Sequence, residues 1–157
     1  MTNVSLGGDE ASETERRAFR ELVASRVVVA AAMGNEYEEG NPVEYPAAFA
    51  GVLGVGAIGE TRRRAPFSNT GSHIDVVAPG VNVLSTTPLK LSPSEGRPEY
   101  DSWDGTPMAT PHVAGLATLV FARYPNATAR EVIRRITTRT QRVAGMQGKR
   151  FTSTAAA

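Results

Sequence analysis

The stretch that decides the fold is Asp104–Gly115, which reads DGTPMATPHVAG. It leads from a polar turn into an apolar run, and this pattern predicts a helix from Pro107 to Tyr124 that is apolar on most sides and therefore buried. Proline is favoured at the first helical position and pushes the preceding residue towards extended backbone, so Thr106 is expected to be the N-cap. Free backbone N–H groups make such a helix start favourable for negative charge. Taken alone, the stretch also fits a plain proline-started core helix.

Upstream of this stretch, apolar strands alternate with a helix and loops. Asn3–Leu6 predicts a short strand, and Ser12 with Glu15 offers a capping box for a helix that runs to about Ser25. In the segment 26–32, the residues from Val27 onward are apolar at consecutive positions, as in a parallel strand that is covered on both faces. Further strands are predicted at residues 52–57, 76–78 and 81–84, of which the last two need not be neighbours in the sheet.

The remainder of the chain predicts a loop, a helix and a frayed end. Residues 90–104 are polar and contain several Ser, Pro and Gly, which is typical of a loop. Thr128 and Glu131 form a second capping box, at the start of an amphipathic helix. We expect residues 152–157 to be a frayed tail, so residues 1–151 form one domain or part of one.

Composition excludes several classes of function. The chain has 157 residues, 41% of them hydrophobic, which allows one domain with a sizeable core. Its net charge of +1 provides no field for attracting nucleic acid or an anionic membrane, and the absence of cysteine excludes disulfides and thiolate metal sites. No apolar run approaches the ~20 residues of a membrane span, and the first residues lack the layout of a signal peptide.

Two lesser patterns have plain explanations. Gly54–Gly59 matches the dinucleotide-binding pattern G-x-G-x-x-G, but that pattern must open a helix, and residues 60–66 read as a loop. We therefore treat the match as chance. The three adjacent arginines Arg62–Arg64 are interpreted as solvated loop charges.

The Asp104–Gly115 stretch resembles the signature G-T-S-M-A-x-P-H-V-A-G of the subtilisin-like serine proteases, the subtilases of peptidase family S8. It differs at Pro107, which stands where the family has its nucleophilic serine. The resemblance continues in the family's order at Val4–Gly7, Ala31–Asn35, Tyr45–Ala47, Val55–Ala57, Phe67–Gly71 and Asp75–Gly80. It implies an α/β fold, a doubly wound and mostly parallel sheet flanked by helices, of which this chain supplies the C-terminal half. It also implies an extracellular location.

The resemblance implies a damaged catalytic centre. Asn35 matches the side chain that holds the oxyanion in the family, together with the backbone N–H of the nucleophile. Proline at position 107 supplies neither a hydroxyl nor an N–H, so we expect that the chain cuts no peptide bond. The family's aspartate and base lie in D-[ST]-G and H-G-T segments, and neither string occurs here. His112 matches the motif's own histidine, which supports the helix, and His73 is interpreted as an exposed turn residue.

The resemblance also implies where a peptide would bind. The substrate-binding positions are Ser5, Leu6, Gly7, Ala32, Met33 and Gly34. Glu44 matches the base of the primary specificity pocket, where a carboxylate favours a basic substrate side chain, and the equal alternative is an exposed loop glutamate. No cofactor is required. The carbonyls of Ala47, Phe49 and Val52, with Asp75 nearby, match a region where relatives hold a weakly bound cation, calcium or sodium.

Three functional hypotheses remain open. The first is a fragment of a secreted endopeptidase whose serine codon has mutated and whose upstream complementary half carries the aspartate and the histidine. The second is a pseudoprotease that binds extended peptide or protein segments along Ser5–Gly7 without cutting them. The third is an unrelated doubly wound ligand-binding domain, which only the glycine-rich stretch supports.

Overall fold

The fold is a four-stranded parallel sheet with helices on both faces and a separate two-stranded ribbon. The computed structural model describes residues 1–87, 100–139, 141 and 143–146. The described strands are β1 (Thr2–Val4), β2 (Val29–Ala32), β3 (Leu53–Ile58), β4 (Val76–Pro79), β5 (Val83–Thr86) and β6 (Tyr100–Trp103). The described helices are α1 (Glu13–Ala24), α2 (Thr106–Arg123) and α3 (Ala129–Thr138), with a 3₁₀ turn at Tyr37–Glu39. The expected tail at 152–157 lies outside the described residues.

The sheet order is β1-β2-β3-β4, and every pair of neighbours is parallel. Strand β2 shows why its sequence is apolar at consecutive positions. Ala30 packs into the core on the side of α2 and α3, whereas Val29 and Ala31 pack into the core on the side of α1. Because successive side chains of a strand point to opposite faces, a strand with helices on both faces needs apolar residues throughout.

Two helices begin with the caps that the sequence predicts. The Ser12 hydroxyl accepts the N–H of Glu15 at 3.0 Å, at the start of α1. At the start of α3, the Thr128 hydroxyl accepts the Glu131 N–H at 3.2 Å, and the Glu131 carboxylate accepts the Thr128 N–H at 2.7 Å. The second pair is a complete capping box, in which two otherwise unbonded N–H groups find partners.

The start of α2 differs from the expectation. Gly105 is the N-cap, with φ 154° and ψ 158°, and Thr106 is already helical. Residues that carry a Cβ atom rarely adopt this φ, so glycine is suited to the turn that leads into the helix. The prediction that Thr106 caps the helix is therefore wrong, and its hydroxyl instead accepts a hydrogen bond from the N–H of Gly34.

Helix α2 is also less buried than its composition suggests. Its buried residues share one face, which packs on the sheet: Thr106, Ala109, Thr110, Val113, Ala114 and Ala117. His112 and Leu119 are exposed, and Leu119 retains 68% of its accessible surface. The expectation of a helix buried on most sides is wrong within the described residues.

The ribbon corrects a second expectation. Strand β5 is antiparallel to β6 and forms no part of the main sheet, as the sequence allowed. Strand β6 lies inside the segment predicted as loop, of which residues 90–99 lie outside the described residues. Aromatic residues at both ends of β6 favour an extended strand, but its partner lies far away along the chain, so local sequence did not reveal the pairing.

The glycine-rich stretch forms a strand, and one residue of the arginine cluster is held by several contacts. Gly54–Gly59 lies largely within β3 and opens no helix, so it lacks the structure of a dinucleotide site. Arg64 is not a solvated charge: its guanidinium donates to the carbonyls of Ala65, Pro66 and Ser68 and stacks 3.6 Å from the ring centre of Tyr37. Among the described residues, no helix is long and apolar enough to cross a membrane.

Candidate active site

The candidate site lies where β2 ends and α2 begins. Two hydrogen bonds join these elements: the N–H of Thr106 donates to Oδ1 of Asn35 at 2.9 Å, and the N–H of Gly34 donates to Oγ1 of Thr106 at 3.1 Å. Both Thr106 groups are buried in this contact. The first bond fixes the Asn35 amide with its oxygen towards the helix. Its Nδ2 then lies beside Gly105, 3.4 Å from the place of a Cβ.

Pro107 occupies the second position of α2 and is half-buried. The N–H groups around it are already bonded, because Met108 N donates to Gly105 O at 3.1 Å and Thr106 N to Asn35. Pro107 itself has no N–H. Among the described residues, the Asn35 Nδ2 is the donor that remains without a partner at this helix start, whereas the resemblance implies two donors for an oxyanion hole.

The two segments expected to bind a peptide do come together. Gly8 and Tyr45 exchange backbone hydrogen bonds of 3.0 and 2.8 Å, and β1 pairs with β2. Leu6 is 67% exposed and Gly7 is exposed, so this segment is accessible. The Ser5 hydroxyl donates to the carbonyl of Pro107 at 2.8 Å, which ties the segment to the start of α2.

The opposite segment is accessible only in part. The side chains of Ala32 and Met33 belong to the buried core, with 2% and 0% exposure. The backbone of Met33 is also engaged, since its N–H donates to Val55 O at 3.1 Å and its carbonyl accepts from Asn69 Nδ2 at 3.3 Å. These two residues shape the site from beneath, and Gly34 and Asn35 are the members of the segment that border it.

Glu44 is buried, with 7% exposure, so the alternative of an exposed loop glutamate is wrong. Its carboxyl lies between the two segments. A Cβ on Gly7 would be 2.8 Å from Oε2 of Glu44, and a Cβ on Gly34 would collide with Oε1. Burial, then a hydrogen bond to Glu36, then the charges of Glu36 and Asp9 raise the pKa of Glu44 to about 8. The hydrogen bond from Glu44 lowers the pKa of Glu36.

Sequence reasoning missed Glu36, Asn69 and the side-chain role of Thr106. Asn69 supports the end of β2, because its N–H donates to Gly34 O at 3.1 Å and its Nδ2 to Met33 O. Its Oδ1 is buried without a hydrogen-bond partner among the described residues. Two signals were available: Glu36 follows Asn35 directly, and Asn69 lies in the Phe67–Gly71 segment of the resemblance.

The two histidines take separate places. Nδ1 of His112 lies 3.0 Å from the carbonyl of Met108, one turn earlier in α2, and the side chain is exposed. His73 is half-buried against Gly71, which corrects the expectation of an exposed turn residue. Beside Pro107 and His112, a groove of about 350 Å³ is lined by Val83, Leu84, Ser85, Pro107, Met108, Pro111 and His112.

In the expected cation region, two of the named oxygen donors, from Asp75 and Ala47, lie near Gly54. The Asp75 carboxylate accepts the Gly54 N–H at 3.1 Å, and the Ala47 carbonyl lies 3.4 Å from the place of a Cβ on Gly54. The Phe49 carbonyl accepts the Val52 N–H at 3.1 Å. The described residues contain no cluster of three or more His, Cys, Asp or Glu side chains that could hold a metal.

Comparison with known proteins points to one family, the subtilases. The sequence pattern of the subtilase family, Peptidase_S8, matches residues 1–154. Subtilisin DY of Bacillus licheniformis is 41% identical over 138 residues, which are 87% of this chain and 47% of that protein. Alkaline elastase YaB of Bacillus sp. (strain YaB) is 44% identical over 126 residues, 80% of this chain and 31% of that protein.

Solved structures agree in fold. A cold-adapted subtilisin-like serine proteinase matches with a TM-score of 0.81 and 28% identity, over 99% of this chain and 55% of that chain. A protease of Pseudoalteromonas arctica PAMC 21717 matches with a TM-score of 0.76 and 34% identity, over 97% of this chain and 45% of that chain. The α/β fold expected from the sequence is thereby confirmed. The chain spans about half the length of these two structures, and 47% and 31% of the two relatives named above.

Proposed function

The chain belongs to the subtilase family, and from this premise we propose that it binds extended peptide or protein segments without hydrolysing them. One observation carries the proposal. Pro107 stands at the start of α2, beside the Asn35 amide, where the family resemblance expects the nucleophile. A serine there would offer a hydroxyl and a backbone N–H, and proline removes both.

The binding half of the proposal rests on the exposed segment Ser5–Gly7. It continues β1, which pairs on one side only, with β2, among the described strands. The unpaired backbone groups of such an edge can receive an extended peptide as a further strand. The side chain of Leu6 is open to solvent, so a bound peptide would find apolar surface beside these groups.

A second candidate is an endopeptidase fragment with a mutated nucleophile, which acts only with an upstream complementary half. The observation that favours it is the preserved position of Asn35, whose amide is held by Thr106 although no nucleophile uses it. The chain spans about half of the solved structures it matches. This candidate therefore requires a second polypeptide that carries the segments with the aspartate and the histidine. By the same resemblance we propose an extracellular place of action and a weakly bound cation near Asp75.

The third hypothesis, an unrelated ligand-binding domain, is wrong, because the family match covers residues 1–154 and the glycine-rich stretch is a strand.

The test separates binding from catalysis. We expect labelled extended peptides to bind the full chain, as measured by fluorescence anisotropy, and to remain uncut after prolonged incubation. We also expect no labelling by a serine-directed fluorophosphonate, because residue 107 has no hydroxyl. Stoichiometric labelling that disappears on mutation of one serine would refute the proposal, and peptides that fail to bind at all would refute its binding half.

A further inference from the structure

A cavity lined by two arginines lies at the end of α2 that is remote from Pro107. It has a volume of about 380 Å³ and is formed by the last residue of α2, the turn after it and the first two turns of α3. Arg123 and Arg135 line it, and we call it the arginine cavity. The length of α2 separates it from Pro107 by roughly 25 Å, so it is distinct from the proposed peptide site.

Both guanidinium groups lie close to one aromatic ring. The Cζ of Arg135 is 3.9 Å from the centre of the Tyr124 ring, and the Cζ of Arg123 is 5.3 Å from the same centre. The π electrons of the ring attract both cations, but the two positive charges repel each other. A guanidinium that contacts a ring with its face keeps the N–H groups at its edge for an acceptor.

The two guanidinium groups lack an internal counter-ion in the part of the chain that the structure describes. Neither Arg123 nor Arg135 forms an ion pair there, and the Nε of Arg135 is buried without a hydrogen-bond partner. The cavity is also lined by Glu131, whose carboxylate accepts the N–H and the hydroxyl of Thr128 at 2.7 and 2.8 Å. Glu131 is thus held in the capping box, and two positive charges face one negative charge.

The surroundings of the cavity are also basic. Residues 123–139 contain five arginines and one acidic residue, although the net charge of the whole chain is only +1. Arg26 reaches the turn after α2, where its Nη2 donates to the carbonyl of Ala127 at 3.4 Å. The exposed Asn126 lines the cavity and brings an amide that can donate without a charge. A region in which one sign of charge dominates attracts ions of the other sign.

We infer that the arginine cavity binds a phosphate group through Arg123 and Arg135. A guanidinium binds phosphate with two parallel N–H bonds, and two guanidinium groups match an anion that has close to two negative charges and at least three oxygens. A carboxylate has one charge and two oxygens, so it satisfies one guanidinium only. The phosphate is a free ion or an ester, since both present the same oxygens to the cavity. This inference does not depend on peptide binding.

The experiment is isothermal titration calorimetry of the full chain with sodium phosphate at pH 8, where phosphate groups carry mainly two negative charges. Sodium chloride keeps the ionic strength constant, so that general screening does not change during the titration. We expect saturable binding to one site with a Kd of about 1 mM or lower. Acetate should bind at least about tenfold more weakly, because it carries one charge. A parallel titration with O-phosphoserine compares the ester with the free ion.

Variants assign the binding to the cavity. Arg123→Gln and Arg135→Gln should each weaken phosphate binding at least about tenfold, because each removes one charged pair of donors. The matched control is Arg130→Gln, which removes an exposed arginine of α3 that lies outside the lining and should change the Kd by less than about twofold. Glu131→Gln should strengthen binding at least about threefold, because it removes a negative charge while glutamine can still complete the capping box.

The outcomes decide the inference in either direction. Tighter binding by Glu131→Gln supports it strongly, because damage to the fold does not raise affinity. Ester binding as tight as that of the free ion supports a site for phosphate esters, and weaker ester binding supports a site for the free ion. Absence of saturable phosphate binding overturns the inference, and so does an equal loss in Arg130→Gln and Arg123→Gln. If Arg135→Gln does not fold, Arg123→Gln and Glu131→Gln still decide the matter.

Discussion

Replacing Glu44 by glutamine should change how the stability of the chain depends on pH. The pKa of Glu44 is raised from an ordinary 4.5 to about 8, with burial as the largest cause. The folded state therefore binds the proton of Glu44 more tightly than the unfolded state does. It follows that the free energy of unfolding falls as pH rises from about 4.5 to about 8 and changes no further above it.

The size of this effect follows from the same shift. One pKa unit corresponds to about 1.4 kcal/mol, so a rise from 4.5 to about 8 sets an upper limit of about 5 kcal/mol. The lowered pKa of Glu36 acts in the opposite direction, but its effect on stability falls at and below about pH 4.5, outside the range in which Glu44 acts. We expect a loss of roughly 2 to 5 kcal/mol in the parent chain and none from this site in Glu44→Gln, because the amide of glutamine does not titrate.

The assay is urea unfolding followed by circular dichroism, at pH values from 5 to 9. Glu39→Gln is the control for removing one exposed negative charge. The reasoning fails if the parent chain has the same unfolding free energy at pH 5 and pH 8, or if Glu44→Gln retains the parent profile.

Three further results are expected. Pro107→Ser alone should restore no proteolysis, because a serine hydroxyl needs a base and loss of the histidine alone costs subtilisin about a million-fold in turnover. A fluorogenic peptide assay of the parent and repaired chains, each with and without the upstream half, tests this. Turnover by the repaired chain alone would show that our interpretation of His73 and His112 is wrong. The chain should self-associate through the unpaired side of β1 in sedimentation velocity, and a monodisperse monomer with a sharp unfolding transition would contradict this. Thr106→Val should cost about 1 to 3 kcal/mol in urea unfolding, because it leaves the buried Gly34 N–H without an acceptor, whereas the exposed Thr118→Val should cost much less.

Much of the fold was predictable because it depends on local patterns. The apolar run of β2, the Ser12 cap of α1 and the capping box of α3 are read from neighbouring residues, and the structure confirms them. Of the box predicted at α1, only the bond to the Ser12 hydroxyl is present among the described residues. Strand β6 was missed because its partner β5 lies outside its own stretch of sequence. The cap of α2 was misplaced because Thr106 is recruited by Gly34, a residue 72 positions away.

The candidate site divides in the same way. Pro107 and Asn35 were identified from the sequence because each is a single residue within a recognisable motif. Their surroundings were not, since Asn69 and Glu36 act through hydrogen bonds whose partners the chain brings together only on folding. The sequence left Glu44 undecided between a pocket residue and a loop residue, and its burial decided against the exposed loop.

By itself, the sequence determined the family, the parallel α/β architecture and the absence of a hydroxyl and an N–H at residue 107, because these depend on residue type and order. Only the tertiary structure decided that Asn35 is held by Thr106 and that Glu44 is buried near other carboxylates, which raises its pKa. Such facts depend on distances and on burial. A carboxyl has its ordinary pKa in water and a raised one beside a second carboxylate inside a protein, and no local pattern of residues states which of the two environments it enters.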